Sequence, residues 1–338
     1  MIKRKSMFVL TSVILLLSVV LTACGGSSNG NNTGGSPSSG ASASPSASPS
    51  ASPEAAESGT RPFETDKGTV QIPAKPQRIV TDYYGGELLS VGGSVVGVEP
   101  TTFDNPFLKD LLKDAKEVGA PIDPEKVLEL QPDLIVVMYD ESYEALSKIA
   151  PTIHIPYGTA TNVEETVKLF ADIVGAPEKA DEFMASFNKK AEEGREKLKG
   201  VIDPNATFGL YELTDKGEIW TFGDNGGRGG QAIYNALQFK KPASIEKLNN
   251  EITQISLETL NDYAADYMFL TVYDPEKKGE QSNKLQSSEV WKNLEPVKNN
   301  QVFINDFDTF YRYDPIAVMG QIDLIVDMLL ERAEENKK

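Results

Sequence analysis

Residues 125–137 read E-K-V-L-E-L-Q-P-D-L-I-V-V, and residues 258–270 read E-T-L-N-D-Y-A-A-D-Y-M-F-L. Each stretch opens on a glutamate (Glu125, Glu258), meets an aspartate eight residues later (Asp133, Asp266) and closes on four apolar residues. Apolar residues at offsets 2 and 3 in the first and 2 and 5 in the second give each middle a helical spacing. The closing run predicts a short buried strand. A helix feeding such a strand is half of a parallel α/β unit. Two such units 133 residues apart predict two related lobes. Proteins of that architecture bind ligands in the crevice outside the carboxyl ends of their strands.

Outward from the first copy, residues 68–76 (G-T-V-Q-I-P-A-K-P) predict an edge strand ended by prolines. A strand over 78–84 meets Gly85-Gly86, a helix begins at Glu87, and 95–98 is a buried strand. Residues 105–115 are amphipathic, Asp123-Pro124-Glu125 is a helix start, and 149–157 holds one more short strand. Residues 162–175 and 177–200 then read as two helices. The longer carries Ala180, Phe183, Met184, Phe187 and Ala191 on one face. One long helix between two lobes makes a stiff joint. Beyond it, 207–213 and 218–222 predict a hairpin turning at T-D-K-G. A glycine-rich stretch, G-D-N-G-G-R-G-G (223–230), leads into a helix over 231–237. After the second copy come 291–294, 301–304 and a terminal helix over 314–332.

The amino-terminal part reads differently. Lys3, Arg4 and Lys5 precede an apolar run, and L-T-A-C ends at Cys24, the only cysteine of 338 residues. This is the pattern of a lipoprotein signal over residues 1–23, with Cys24 carrying palmitate or a similar lipid; an uncleaved membrane anchor is the alternative. Residues 24–59 are almost all Gly, Ser, Asn, Ala and Pro, too polar for a core. A tether of that length spans roughly 30–35 Å. The expected arrangement is an N-terminal lobe over 60–161, a helical connection over 162–200 and a C-terminal lobe over 201–338. The body would be monomeric, held by lipid on the extracellular face of the cell membrane. The formal charge is −17, and loss of the three basic leader residues makes it −20. Such an acidic body argues against nucleic acid as a partner.

The missing chemistry is as informative. One histidine, His154, and one lipid-bound cysteine cannot build a zinc-type site, so no protein-held metal and no cofactor are expected. His154 sits in a strand-like T-I-H-I-P and suits packing better than catalysis. No G-x-S-x-G and no phosphate loop of the Walker type occurs. No catalytic residue is assigned, and the chain is not expected to be an enzyme. What remains is the glycine stretch, either a mobile surface loop or a place where backbone approaches a ligand beside the Arg228 donor fork. A second candidate is T-F-Y-R-Y-D-P (309–315), with Tyr311 and Arg312. Tyr83-Tyr84, Tyr139 and Tyr157 fall near strand ends of the first lobe. Aromatic walls with one or two arginines suit a bulky, oxygen-rich, weakly charged ligand.

With Cys24, the glycine loop and the repeat together, the chain resembles the solute-binding lipoproteins of iron–siderophore importers, closest to the ferric-hydroxamate binders of Gram-positive bacteria. The resemblance runs from about residue 64 to the end. Its specific parts are F-G-D-N-x-G-R-G-G (222–230), W-K-N-L (291–294) and T-x-x-x-x-D-P (309–315). It implies two Rossmann-like lobes joined by one long helix, little closure, and a ferric siderophore as cargo with its iron already wrapped. It further implies that Arg228 meets the iron-bound oxygens and that Tyr311 and Tyr157 line the pocket; Tyr139 is a binding candidate from its strand-end position alone. Tyr311 and Gly226 stand where such relatives carry tryptophan. Arg312 is an extra charge that leaves room for an anionic, citrate-type chelate. One glutamate per lobe docks onto the ATP-driven permease in that superfamily, matching Glu125 and Glu258. Both also read as first-turn acids of helices. Cobalamin or haem is the rival cargo, and an extracellular carboxylate-dependent hydrolase the rival from another class.

Overall fold

The computed structural model describes residues 59–338. The signal-like segment, Cys24 and the tether up to residue 58 lie outside the described residues.

The chain begins with an antiparallel hairpin, β1 (Thr60–Thr65) and β2 (Gly68–Pro73). It then enters a five-stranded, all-parallel sheet in the order β5-β4-β3-β6-β7. Its strands are β3 (Ile79–Thr81), β4 (Val95–Val98), β5 (Lys116–Glu117), β6 (Leu134–Val137) and β7 (Thr152–His154). The intervening helices are α1 (Gly85–Ser90), α2 (Pro124–Glu129) and α3 (Tyr143–Leu146). Two longer helices follow, α4 (Val163–Ile173) and α5 (Glu178–Leu198). The second sheet runs β10-β9-β8-β11-β12. Here β8 (Phe208–Leu213), β11 (Tyr267–Val272) and β12 (Val302–Asp306) are parallel. The other two, β9 (Ile219–Phe222) and β10 (Ile252–Ile255), are antiparallel. A 21-residue C-terminal helix, Pro315–Glu335, ends the fold.

The expected two lobes and long helix are present, and the hairpin turns where the sequence places it, with Gly217 at φ 80°. The repeat has a structural cause. Both oxygens of Asp133 accept backbone N–H bonds, from Gln77 at 2.7 Å and Arg78 at 2.8 Å, just before β3. In the other lobe one oxygen of Asp266 accepts from the Thr207 N–H at 2.7 Å and its hydroxyl at 2.8 Å, just before β8. In each lobe the aspartate at the foot of one parallel strand thus ties down the start of its neighbour.

Two expectations change, and the amphipathic stretch over 105–115 takes a definite form. The second copy has no α-helix: Glu258 lies in a turn closed by Ser256 and Thr259, followed by a 3₁₀ turn over Leu260–Tyr263. The helix-dipole reading therefore applies to Glu125, in the first turn of α2, and not to Glu258. Residues 105–115 form successive turns. Asn105 Oδ1 draws the Phe107 N–H into an Asx turn at 3.1 Å, which competes with helix formation. Residues 231–236 are wound as a π-type turn.

Alternation along the strands sends side chains to two faces. In β6, Leu134 and Val136 face the central core, whereas Ile135 and Val137 face α2 and α3. That central core is continuous across the molecule. It joins Ile79 and Ile153 of the first sheet, through Phe170, Phe183 and Phe187 of α4 and α5, to Phe208, Phe269 and Phe303 of the second. The C-terminal helix contributes Ile322, Ile325 and Val326 to it and reaches the first lobe, where Gly320 lies under the Phe107 ring.

Candidate functional site

The strand topology places the cleft. Tyr83, Tyr139 and Tyr157 follow the carboxyl ends of β3, β6 and β7, and Tyr311 follows that of β12. This is the position where open α/β sheets bind ligands. Two main chambers lie there. One, of about 520 Å³, is lined by Tyr139, Pro121, Ile122, Tyr311 and Arg312 among others. The other, of about 290 Å³, is lined by Tyr157, Phe170, Asn225, Glu251 and Tyr313 among others. A small recess between them is shared by Tyr83, Glu87 and Tyr311 to Asp314. The Tyr83 and Tyr313 hydroxyls, from opposite lobes, are hydrogen-bonded at 2.7 Å. Tyr83 meets Tyr139 edge-on at 6.2 Å, and Tyr157 meets Tyr313 at 6.3 Å. Tyr139 and Tyr157 are 51% and 61% exposed, so their ring surfaces are available to a ligand.

Arg228 occupies a left-handed backbone position (φ 58°) between Gly227 (φ 78°) and Gly229 (φ 88°). A non-glycine residue pays about 1–2 kcal/mol for that conformation. Its side chain holds it there. Nε donates to Glu212 Oε2 at 2.6 Å, a second nitrogen pairs with the same oxygen, and Nη1 donates to the Gly226 carbonyl at 3.2 Å. The guanidinium is stacked between Phe222 (4.5 Å) and Tyr311 (4.7 Å). Three of its five N–H groups are used by the protein; the side chain is only 11% exposed and meets the larger chamber through Tyr311 rather than lining it. The glycines have separate reasons: a Cβ at Gly227 would meet the Tyr311 carbonyl at 2.7 Å, and one at Gly230 the Asp224 carbonyl at 2.5 Å.

Arg312 is differently placed. Its Nη2 donates to the Thr101 carbonyl at 2.5 Å, bridging the lobes, and its Nε is buried without a partner. It lies beside two buried carboxyls. Burial, and then the charge of Asp314, push the Glu87 carboxyl well above its ordinary value. Burial also raises Asp314, against the pull of the Ala317 N–H and the Asn105 amide, which donate to it. Asp82 is raised by burial to about 6, against the pull of the Met138 and Tyr139 N–H groups.

His154 faces Asp66 through Nδ1 at 2.9 Å and the Met138 carbonyl through Nε2 at 3.1 Å. Both ring nitrogens are occupied by the protein, as its strand context predicts, and it is not placed to ligate a haem. No group of three or more His, Cys, Asp or Glu among the described residues forms a metal site. Glu125 and Glu258 are exposed and line none of these chambers. Of the residues that the sequence signals select, Tyr139 and Tyr311 line the larger chamber and Tyr157 the smaller, while Arg228 lies against Tyr311 and lines neither. The signals do not select Glu212 or Glu251, and they reach Tyr313 only as part of the 309–315 stretch. Tyr83 was visible at a strand end, and its bond to Tyr313 emerges only from the fold.

Two lobes with a central aromatic cleft, joined by helices, define a solute-binding protein. Residues 86–309 match the model of the periplasmic binding protein family, and the chain belongs to that family. It is 60% identical over 281 residues to the iron(3+)-hydroxamate-binding protein YxeB of Bacillus subtilis (strain 168), covering 82% of this chain and 88% of that protein. It is 34% identical to the iron(3+)-hydroxamate-binding protein FhuD of the same organism, over 79% of this chain and 85% of that one. Among solved structures, FhuD2 from Staphylococcus aureus with bound ferrioxamine B superposes with a TM-score of 0.69 at 28% identity, over 76% of this chain and all of that one.

Proposed function

We propose that this chain is the solute-binding component of an ABC importer, capturing a ferric hydroxamate siderophore and delivering it to a membrane permease. The observation that supports this reading best is the Arg228 guanidinium. It lies against the rings of Phe222 and Tyr311, is anchored by Glu212, acts electrostatically on Tyr157, and has two N–H groups not taken by the protein. Such a fork recognises the coordinated oxygens of a chelate without touching its iron. The tyrosines supply flat apolar surface and hydroxyls for the chelate's periphery. Iron arrives already coordinated, so the protein needs no ligands of its own. Arg228, Tyr311, Tyr157 and Tyr139 are the binding residues in this reading, Arg312 is a lobe-bridging neighbour, and Glu125 and Glu258 dock the permease. Cys24 carries the lipid, the tether follows it, and the body works as a monomer. No described helix is long and apolar enough to cross a membrane.

Removing Arg228 alone would strand the buried Glu212 carboxylate. The test is therefore Arg228→Ala in a Glu212→Gln background, with Glu212→Gln alone as control. Titration of the full chain in detergent with a ferric tris-hydroxamate, followed by tyrosine and tryptophan quenching, should show an affinity loss of about tenfold or more, as for a charged hydrogen bond. Unchanged affinity removes Arg228 from the site. Quenching by cobalamin or haem with none by any ferric chelate overturns the siderophore reading. Glu125→Ala with Glu258→Ala should leave binding intact and abolish uptake.

A further inference from the structure

Three side chains stand in one row across the second sheet. Glu212 of β8 is in register with Thr271 of β11, and Thr271 with Asn305 of β12. Residues in register on adjacent parallel strands point to the same face. Alternation identifies that face, because Leu210, Phe269 and Phe303, two residues earlier in each strand, belong to the central core. The row therefore lies on the core side, near the carboxyl ends of the strands, where Arg228 meets Glu212. Its three residues are buried, at 8%, 0% and 5% exposure. Glu212 is occupied by Arg228 through Oε2. Thr271 Oγ1 and both amide atoms of Asn305 have no hydrogen-bond partner in the protein. Buried polar groups are almost always paired, so two adjacent orphaned side chains next to an ion pair call for a use.

Arg228 supplies the use. Its guanidinium is fixed on Glu212 and lines neither chamber. Turning to a chelate draws it off Glu212 and leaves a carboxylate that is only 10% exposed without its cation. An uncompensated buried charge opposes that movement. Neighbouring strands lie about 4.8 Å apart, so one rotamer step brings a threonine hydroxyl to a carboxylate on the next strand. The Asn305 amide reaches Thr271 Oγ1 in the same way. Resting on the proposed function, we infer that Thr271 and Asn305 are positioning residues for chelate binding, which take over the Glu212 carboxylate when Arg228 turns to the chelate. In the free protein Glu212 holds Arg228. In the loaded protein the Asn305 amide donates to Thr271 Oγ1, and the Thr271 hydroxyl donates to Glu212. No proton is transferred. The free state thus keeps its arginine sheltered between Phe222 and Tyr311, and the loaded state leaves no orphaned charge.

The test is Thr271→Val, which keeps the shape of the side chain and removes its hydroxyl. Titrated as the full chain in detergent with a ferric tris-hydroxamate, the variant should bind about tenfold more weakly than the parent, as for loss of a hydrogen bond to a charged group. Its thermal midpoint without chelate should be no lower, because the hydroxyl has no partner in that state. Thr271→Ser should restore the parental affinity. In a Glu212→Gln background, where no charge is left to receive, Thr271→Val should weaken binding less than about twofold. Unchanged affinity in Thr271→Val overturns the assignment and leaves the siderophore reading standing. An equal loss in the Glu212→Gln background overturns it too, as does an affinity loss accompanied by a lower midpoint, which marks a structural support. If the parent binds no ferric chelate, the siderophore reading falls and the assignment with it.

Discussion

Asp133 and Asp266 show what a single side chain can specify. Each takes two donors at the start of the neighbouring strand, and those donors have no ladder partner there. Asp133→Ala or Asp266→Ala should each lower stability by about 1–2 kcal/mol, seen as a reduced denaturation midpoint with ligand affinity retained. A variant as stable as the parent would show that solvent replaces the bonds. Asp82 makes a different kind of test. Burial raises its carboxyl to about 6, so the folded state holds this proton more tightly than the unfolded chain. Its contribution to stability is therefore present below about pH 4 and is lost as pH rises towards 6. Carboxyl-resolved NMR should place its midpoint near 6, and a midpoint in the ordinary aspartate range would refute the assignment. The aspartates, Arg228 and the strand-end tyrosines were legible because each sits at a punctuated place in the sequence. Glu212 was not: it is one of 50 acidic residues, and only the fold brings it to Arg228.

Among the elements, those with an apolar run or a sharp cap could be read, and those formed by pairing could not. The four buried residues of β6 announce a strand. By contrast β1 alternates exposed polar residues around Phe63, β5 is two exposed residues, and β10 buries only Ile255. Each exists because a neighbouring strand offers it hydrogen bonds, and a local window carries no trace of that neighbour. The glycine stretch was legible as special but ambiguous in kind. The structure makes it a folded loop, with Gly230 N–H on the Gly227 carbonyl at 3.0 Å and Gly223 N–H on the Glu251 carbonyl at 2.8 Å. Gly227→Ala should strain the left-handed turn and push on Tyr311. Its expected outcome is weaker chelate binding in a protein that still folds. Undiminished affinity would mean that the position of Arg228 does not depend on this turn.

At the scale of the molecule, the two lobes are not hinged bodies. The central core passes from one sheet through α4, α5 and the C-terminal helix into the other. Opening or closing by a large angle would expose apolar surface at roughly 25 cal/mol per Å². The radius of gyration from small-angle scattering should therefore be unchanged, within error, when a chelate binds. A clear decrease would contradict the shared core. The consequence is one of traffic. If Glu125 and Glu258 dock the permease as proposed, a body whose lobes share one core offers it the same face whether empty or loaded. Empty copies then act as competitive inhibitors of delivery, and import at a fixed, limiting chelate supply should rise and then fall as the number of tethered copies grows.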